Sequence, residues 1–277
     1  MLRYLPSYAT ALSLVVVACG GAATGASTAT ATSAGASSTP AAAGPAAAAP
    51  AARPVAAGSC PAGMSAVAGG SFVMRGERDT SNVAPFCIDQ TEVTTSAYAA
   101  CVKTGTCTVD PHPHDRDMPE RELLQGCNYG AAGHDSHPMN CVSWGEARAY
   151  CRAQSKRLPT MAEWEWAARG GADGRMYPWG DDKMPRGKEG CWSVGDNAVP
   201  RRNATCPVGS YPKTDAPGGV HDLLGNVIEW TSEGCNGCGT AHSVRGDSFG
   251  GIDPSIGGEG ASFSDNRNPR VGFRCIQ

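Results

Sequence analysis

The chain has 277 residues, 41% hydrophobic and 18% charged, with a formal net charge of −3. The charged share lies below the usual level of about 25%, which excludes a polyelectrolyte. The slight acidic balance argues against a nucleic-acid binder, whose surface carries a basic surplus.

Residues 1–18 read as a signal peptide. Arg3 is the only charge, and the apolar run from Ala9 to Ala18 is too short to span a bilayer. The run ends in Val16-Val17-Ala18-Cys19. Small residues before a cysteine resemble the lipobox of bacterial lipoproteins, which implies cleavage before Cys19 and a lipid on that residue. Residues 19–59 follow as a tether. Eighteen of residues 20–59 are alanine and Arg53 is the sole charge, so almost nothing there can be buried. Residues 60–277 form the domain, long enough for one good hydrophobic core.

Within the domain, Ser71–Met74 and Phe86–Ile88 read as short strands. Thr95–Lys103 is expected to be helical. A second helix starts at Ser143, with Glu146 three residues on, and runs to about Ser155. A third starts at Thr160, with Glu163 three residues on, and stops at Gly170-Gly171. Both starts are capping boxes, in which hydroxyl and carboxylate satisfy the first free backbone N–H groups. After residue 171 the pattern gives glycine-rich loops and brief strands. The pattern thus points to three helices among much loop and short strand.

Setting Cys19 aside leaves an even set of twelve cysteines, which in an exported chain suggests disulfides. Short spacings favour Cys101–Cys107, Cys127–Cys141, Cys191–Cys206 and Cys235–Cys238. Cys60–Cys87 would tie the start of the domain to its first strands. Cys235-x-x-Cys238-x-x-x-His242 also has zinc-like ligands, but a CxxC without a second pair is a weak zinc signal. His112, His114, His134 and His137 lie among Pro, Asp and Gly and read as solvated loop residues.

Ordered motifs then run through the whole domain. They begin with Val142-Ser143-Trp144-Gly145-Glu146-Ala147, Lys156-Arg157-Leu158-Pro159-Thr160 and Glu163-Trp164-Glu165-Trp166-Ala167-Ala168-Arg169-Gly170-Gly171. They continue with Tyr177-Pro178-Trp179-Gly180, Leu224-Gly225-Asn226-Val227-Ile228-Glu229-Trp230-Thr231, Arg245-Gly246-Asp247-Ser248-Phe249 and Gly272-Phe273-Arg274-Cys275. This series is similar to the formylglycine-generating enzyme (sulfatase-modifying factor) family. The resemblance implies an irregular α+β fold related to C-type lectins, loop-rich and low in regular secondary structure. It also implies a bridge between Cys151 and Cys275.

The resemblance breaks at the chemistry. The family's oxidases hold copper(I) on two cysteines shortly after the Gly-Gly-Ser strand, and soft thiolates suit that ion. Here Ser248 is kept, but the cysteine positions fall near Gly251 and Ile256, and no cysteine occurs from Gly239 to Arg274. Copper is therefore not expected, and Ser248 is left as a substrate-cleft candidate. No activating His or Asp stands at triad spacing from it. The family's calcium turn maps onto Asp222, Gly225, Val227 and Glu229, with two carboxylates and two backbone carbonyls as hard oxygen ligands. A second calcium site would involve Asp196 and Asn197.

These readings lead to an exported, membrane-anchored lipoprotein of the bacterial cell envelope, outer-membrane or periplasm-facing. Gly20 after the lipid cysteine favours the outer membrane. The domain is expected to lack oxidase activity and to serve as a binding or structural module, monomeric, for an envelope protein or glycan. The rival is a diverged oxidoreductase acting in the same cleft.

Overall fold

The computed structural model describes residues 60–110, 114–115, 119, 126–182, 189–193, 203–234, 239–251, 256 and 259–277. They belong to one compact unit, Ala52–Gln277. Cys19 and the tether, His112, Asp196, Asn197, Cys235 and Cys238 lie outside the described residues. No helix among the described residues is long and apolar enough to cross a membrane.

Two small antiparallel pairs open the domain. Strand β1 (Met64–Val67) pairs with β4 (Phe86–Asp89), and β2 (Gly70–Val73) pairs with β3 (Thr80–Val83). Helix α1 (Thr95–Lys103) follows, capped by the Thr94 hydroxyl. Helices α2 (Trp144–Ala153) and α3 (Met161–Ala168) both carry complete capping boxes, Ser143 with Glu146 and Thr160 with Glu163. The main sheet comes from the glycine-rich C-terminal third. It comprises β5 (Ile228–Gly234), β6 (Ala241–Arg245), β7 (Glu259–Phe263) and β8 (Val271–Gly272), ordered β7-β6-β5-β8, with β8 parallel to β5.

The chain end closes the fold. Cys87 N–H donates to the Gln277 carbonyl, Asp89 N–H to that of Cys275, and Val93 N–H to that of Phe273. The last residues thus pair alongside the first long segment of the domain. Two apolar clusters flank this seam. One packs Tyr98, Tyr150, Leu158, Trp230 and Phe273; the other packs Ile88, Trp164, Trp166, Leu223 and Ile276.

Five disulfides join the described residues: Cys60–Cys87, Cys101–Cys107, Cys127–Cys141, Cys151–Cys275 and Cys191–Cys206. Cys151–Cys275 links α2 to the chain end across 124 positions. In the chain-entropy account, closing a loop of that size restricts the unfolded chain by about 4–5 kcal/mol. Replacing both cysteines by alanine is expected to lower the denaturant-derived unfolding free energy by about that amount, more than removal of Cys101–Cys107.

Candidate functional site

The Asp222–Glu229 turn is wound tightly by residues with positive φ: Asp222 at 57°, Gly225 at 93° and Asn226 at 55°. At Gly225 a Cβ would come 2.8 Å from the Cys191 carbonyl oxygen, so only glycine fits. Asn226 is fully buried. Its N–H donates to the Cys191 carbonyl at 2.8 Å, its side-chain oxygen accepts from Cys206 N–H at 2.9 Å, and its carbonyl accepts from Phe249 N–H at 2.8 Å. One side chain and its backbone thus join the turn to the Cys191–Cys206 disulfide and to the loop after Arg245 that carries Ser248. The sequence reading gave Asn226 no role.

Glu229 lies at the start of β5 and is 1% exposed. Arg274, fully buried, donates through Nε to both carboxylate oxygens at 3.0 and 2.8 Å and through Nη2 at 2.7 Å. Trp164 Nε1 donates to the same carboxylate at 2.9 Å. Arg274 Nη1 also reaches the carbonyls of Asp89 and Gln90, and Nη2 that of His221. The neighbouring carboxylates hold Arg274 charged, against the opposing effect of burial.

Two further carboxyls surround this pair. Asp222 accepts a short hydrogen bond from Gly209 N–H, and burial pushes its pKa up. Glu92 is the residue that sequence reasoning missed altogether. It is 1% exposed, and both its oxygens are buried without a hydrogen-bond partner. Burial first, then the charge of Asp222, drive its pKa well above the ordinary carboxylate range, while Arg274 opposes the rise. Three carboxyls thus face one guanidinium, and protons or a cation must balance the excess.

Ser248 is buried at 2% exposure. Its N–H donates to Asp247 Oδ1 at 2.7 Å, and its hydroxyl accepts from Gly250 N–H at 3.4 Å. Ser193 N–H donates to the Gly251 carbonyl at 2.9 Å, which fastens the following turn. Ile256 is fully buried in the second apolar cluster. The two positions at which the resemblance seats the copper thiolates therefore hold a turn glycine and a core side chain.

The histidines divide between separate places. His134 and His137 pack with tilted rings, their centroids 4.4 Å apart, with His137 Nδ1 2.8 Å from the Thr205 hydroxyl, while His114 sits 3.9 Å from Asp265. His134 and His137 are therefore half-buried and packed rather than simply solvated, whereas His114 is exposed. His242 stacks on Trp144 at 3.7 Å. Among the described residues, no three His, Cys, Asp or Glu side chains form a group able to hold a metal ion.

The Glu92 environment gives a signed prediction for protein in chelator. Its folded pKa is raised above the unfolded value of about 4.3, so the folded state binds the proton more tightly. Stability from this group is full below that value and is lost as pH rises towards the folded pKa. Glu92→Gln is expected to raise the melting temperature at alkaline pH and to flatten its fall between acid and alkaline pH. Thermal melts across that range check it.

Comparison with known proteins agrees with this architecture. The sulfatase-modifying factor enzyme 1-like domain matches residues 49–277. The formylglycine-generating enzyme of Streptomyces coelicolor is 31% identical over 251 residues, covering 71% of this chain and 79% of that protein. An inactive C-alpha-formylglycine-generating enzyme 2 of Bos taurus is 37% identical over 151 residues, 50% of this chain and 49% of that protein. The crystal structure of CarF superposes with a TM-score of 0.57 at 22% identity, over 77% of this chain and 97% of that one, which speaks for the fold alone. The chain belongs to the sulfatase-modifying factor enzyme 1-like, or formylglycine-generating enzyme, family.

Proposed function

We propose that this protein is an exported, lipid-anchored member of the family whose domain lacks the copper oxidase activity and works as a binding or structural module at the cell envelope. The observation that carries the reading is the cysteine-free stretch from Gly239 to Arg274, with Gly251 and Ile256 at the thiolate positions. A soft copper(I) ion has no thiolate pair to bind there. Among the relatives is the inactive C-alpha-formylglycine-generating enzyme 2 of Bos taurus, which supports this reading. Anchoring rests on Cys19 behind the apolar leader, and the alanine-rich tether would hold the domain off the membrane as a monomer. A protein or a glycan of the envelope is the partner class. The rival reading, an oxidoreductase in the same cleft, needs converging ligands beside Ser248. His134, His137 and His242 make their contacts elsewhere.

Purified protein, supplied with copper, oxygen and a cysteine-containing sulfatase peptide, is expected to give no formylglycine by mass spectrometry. A peptide mass shifted to formylglycine overturns the reading.

The same reading assigns a structural calcium to the Asp222–Glu229 turn. Asp222 and Glu229 would lend side-chain oxygens, and Gly225 and Val227 their carbonyls. The carboxyl excess around Arg274 supports a cation there, although Glu229 would have to share its oxygens with the guanidinium. Binding to the folded state alone must stabilise it. Chelation is therefore expected to lower the melting temperature and added calcium to restore it; a melting temperature indifferent to both discards the assignment.

A further inference from the structure

The exposed side of α2 carries a groove that the cleft chemistry does not use. Its volume is about 410 Å³, and it is lined by Thr106, Gly145, Arg148, Ala149, Arg152 and Ala153. Gly145, Ala149 and Ala153 recur every fourth residue, so small side chains floor a strip about 12 Å long. Thr106 belongs to the loop after α1 that the Cys101–Cys107 disulfide closes, which fixes the opposite wall.

The charge of this groove is one-sided. Arg148 and Arg152 are exposed, one helical turn apart, and neither forms an ion pair among the described residues. Glu146, the acidic residue of α2, is taken by Arg267 at 3.1 and 3.2 Å. Like charges at this spacing repel each other and gain by sharing an anionic partner. Arg148 is also held in place. Its guanidinium lies 5.0 Å from the Trp144 ring centroid, and Trp144 is fixed by His242 stacking and by its Nε1 donating to the Thr231 carbonyl at 2.8 Å. In a chain of net charge −3, this is a local, pre-positioned basic pair.

We propose that this groove docks an acidic polypeptide segment, in helical form, whose two carboxylates stand one turn apart. Two arginines separated by about 6 Å of rise along α2 match side chains at i and i+4 of a facing helix. The small-residue floor lets that helix approach closely. A glycan would use an open aromatic face and a ring of polar groups; here the Trp144 ring is covered by His242 and Arg148, and the floor is Gly and Ala. The proposal gives the binding-module reading a surface and a partner chemistry. It stands on a site separate from Ser248, so the formylglycine assay and the experiment below fail independently.

The experiment uses the purified full chain and a short fluorescent helical peptide with two glutamates at i and i+4, beside its glutamine counterpart. Anisotropy is expected to show the glutamate peptide binding on the order of tenfold more tightly, with affinity falling as salt rises. R148A/R152A should abolish that preference without changing the thermal melt, and R148K/R152K should keep part of it. Equal binding of both peptides, absence of binding, or a preference that survives R148A/R152A overturns the proposal. So does Arg-dependent binding of heparin or polygalacturonate without peptide binding, which would reassign the groove to a glycan.

Discussion

The buried pair of Arg274 and Glu229 is the interaction on which the arrangement depends. One guanidinium gathers the carboxylate at the start of β5, the carbonyls of Asp89 at the end of β4 and of Gln90 after it, and the carbonyl of His221. Trp164 of α3 closes the other side of Glu229. Such a pair recovers its desolvation cost only when its geometry is good and its remaining donors are satisfied. Here both conditions are met, by backbone carbonyls from two segments far apart in sequence and by the Trp164 indole on the carboxylate. Position 274 also lies next to Cys275, whose bridge to Cys151 fastens the same chain end to α2. Ion pair and disulfide therefore fix neighbouring residues onto different parts of the domain, and the short terminal segment becomes its clasp.

A fold with few long elements must satisfy many backbone groups outside ladders. This domain does so with residues such as Asn226 and Asn140. Asn140 accepts from Asn128 N–H and donates to the carbonyls of Gly126 and Pro269. Both asparagines are fully buried. Asn140 presents an acceptor and two donors where the loops need them, while Asn226 serves through its backbone and its side-chain oxygen, its side-chain nitrogen being buried without a partner. The disulfides reinforce the same places: Cys127–Cys141 beside Asn140, and Cys191–Cys206 beside Asn226.

What was legible in the sequence follows from range. The capping boxes at Ser143 and Thr160 are local, three residues each, and the helices begin where they say. The main sheet was reduced to brief strands in the reading because its pattern is not local. Glu229, Thr231 and Arg245 are polar yet buried, which spoils the alternation expected of a half-buried strand. Arg274 stood in a recognised motif without a role, since nothing nearby in sequence names Glu229 as its partner. Glu92 sits in an ordinary polar stretch, Gln90-Thr91-Glu92-Val93-Thr94, and only folding brings Asp222 and Arg274 to it. The family resemblance could supply the turn residues, but not the carboxyl that faces them.

The same separation of ranges explains how this scaffold can exist without thiolates at positions 251 and 256. None of the contacts that fasten the turn uses those side chains. Asn226 holds Phe249, Asp247 caps the Ser248 N–H, and Ser193 holds the Gly251 carbonyl. Ile256 contributes apolar burial to the core beside Trp164, a contribution of roughly 2 kcal/mol that an exposed thiol would not make. The stability of this loop therefore rests on backbone hydrogen bonds and core burial, and on no thiolate at either position.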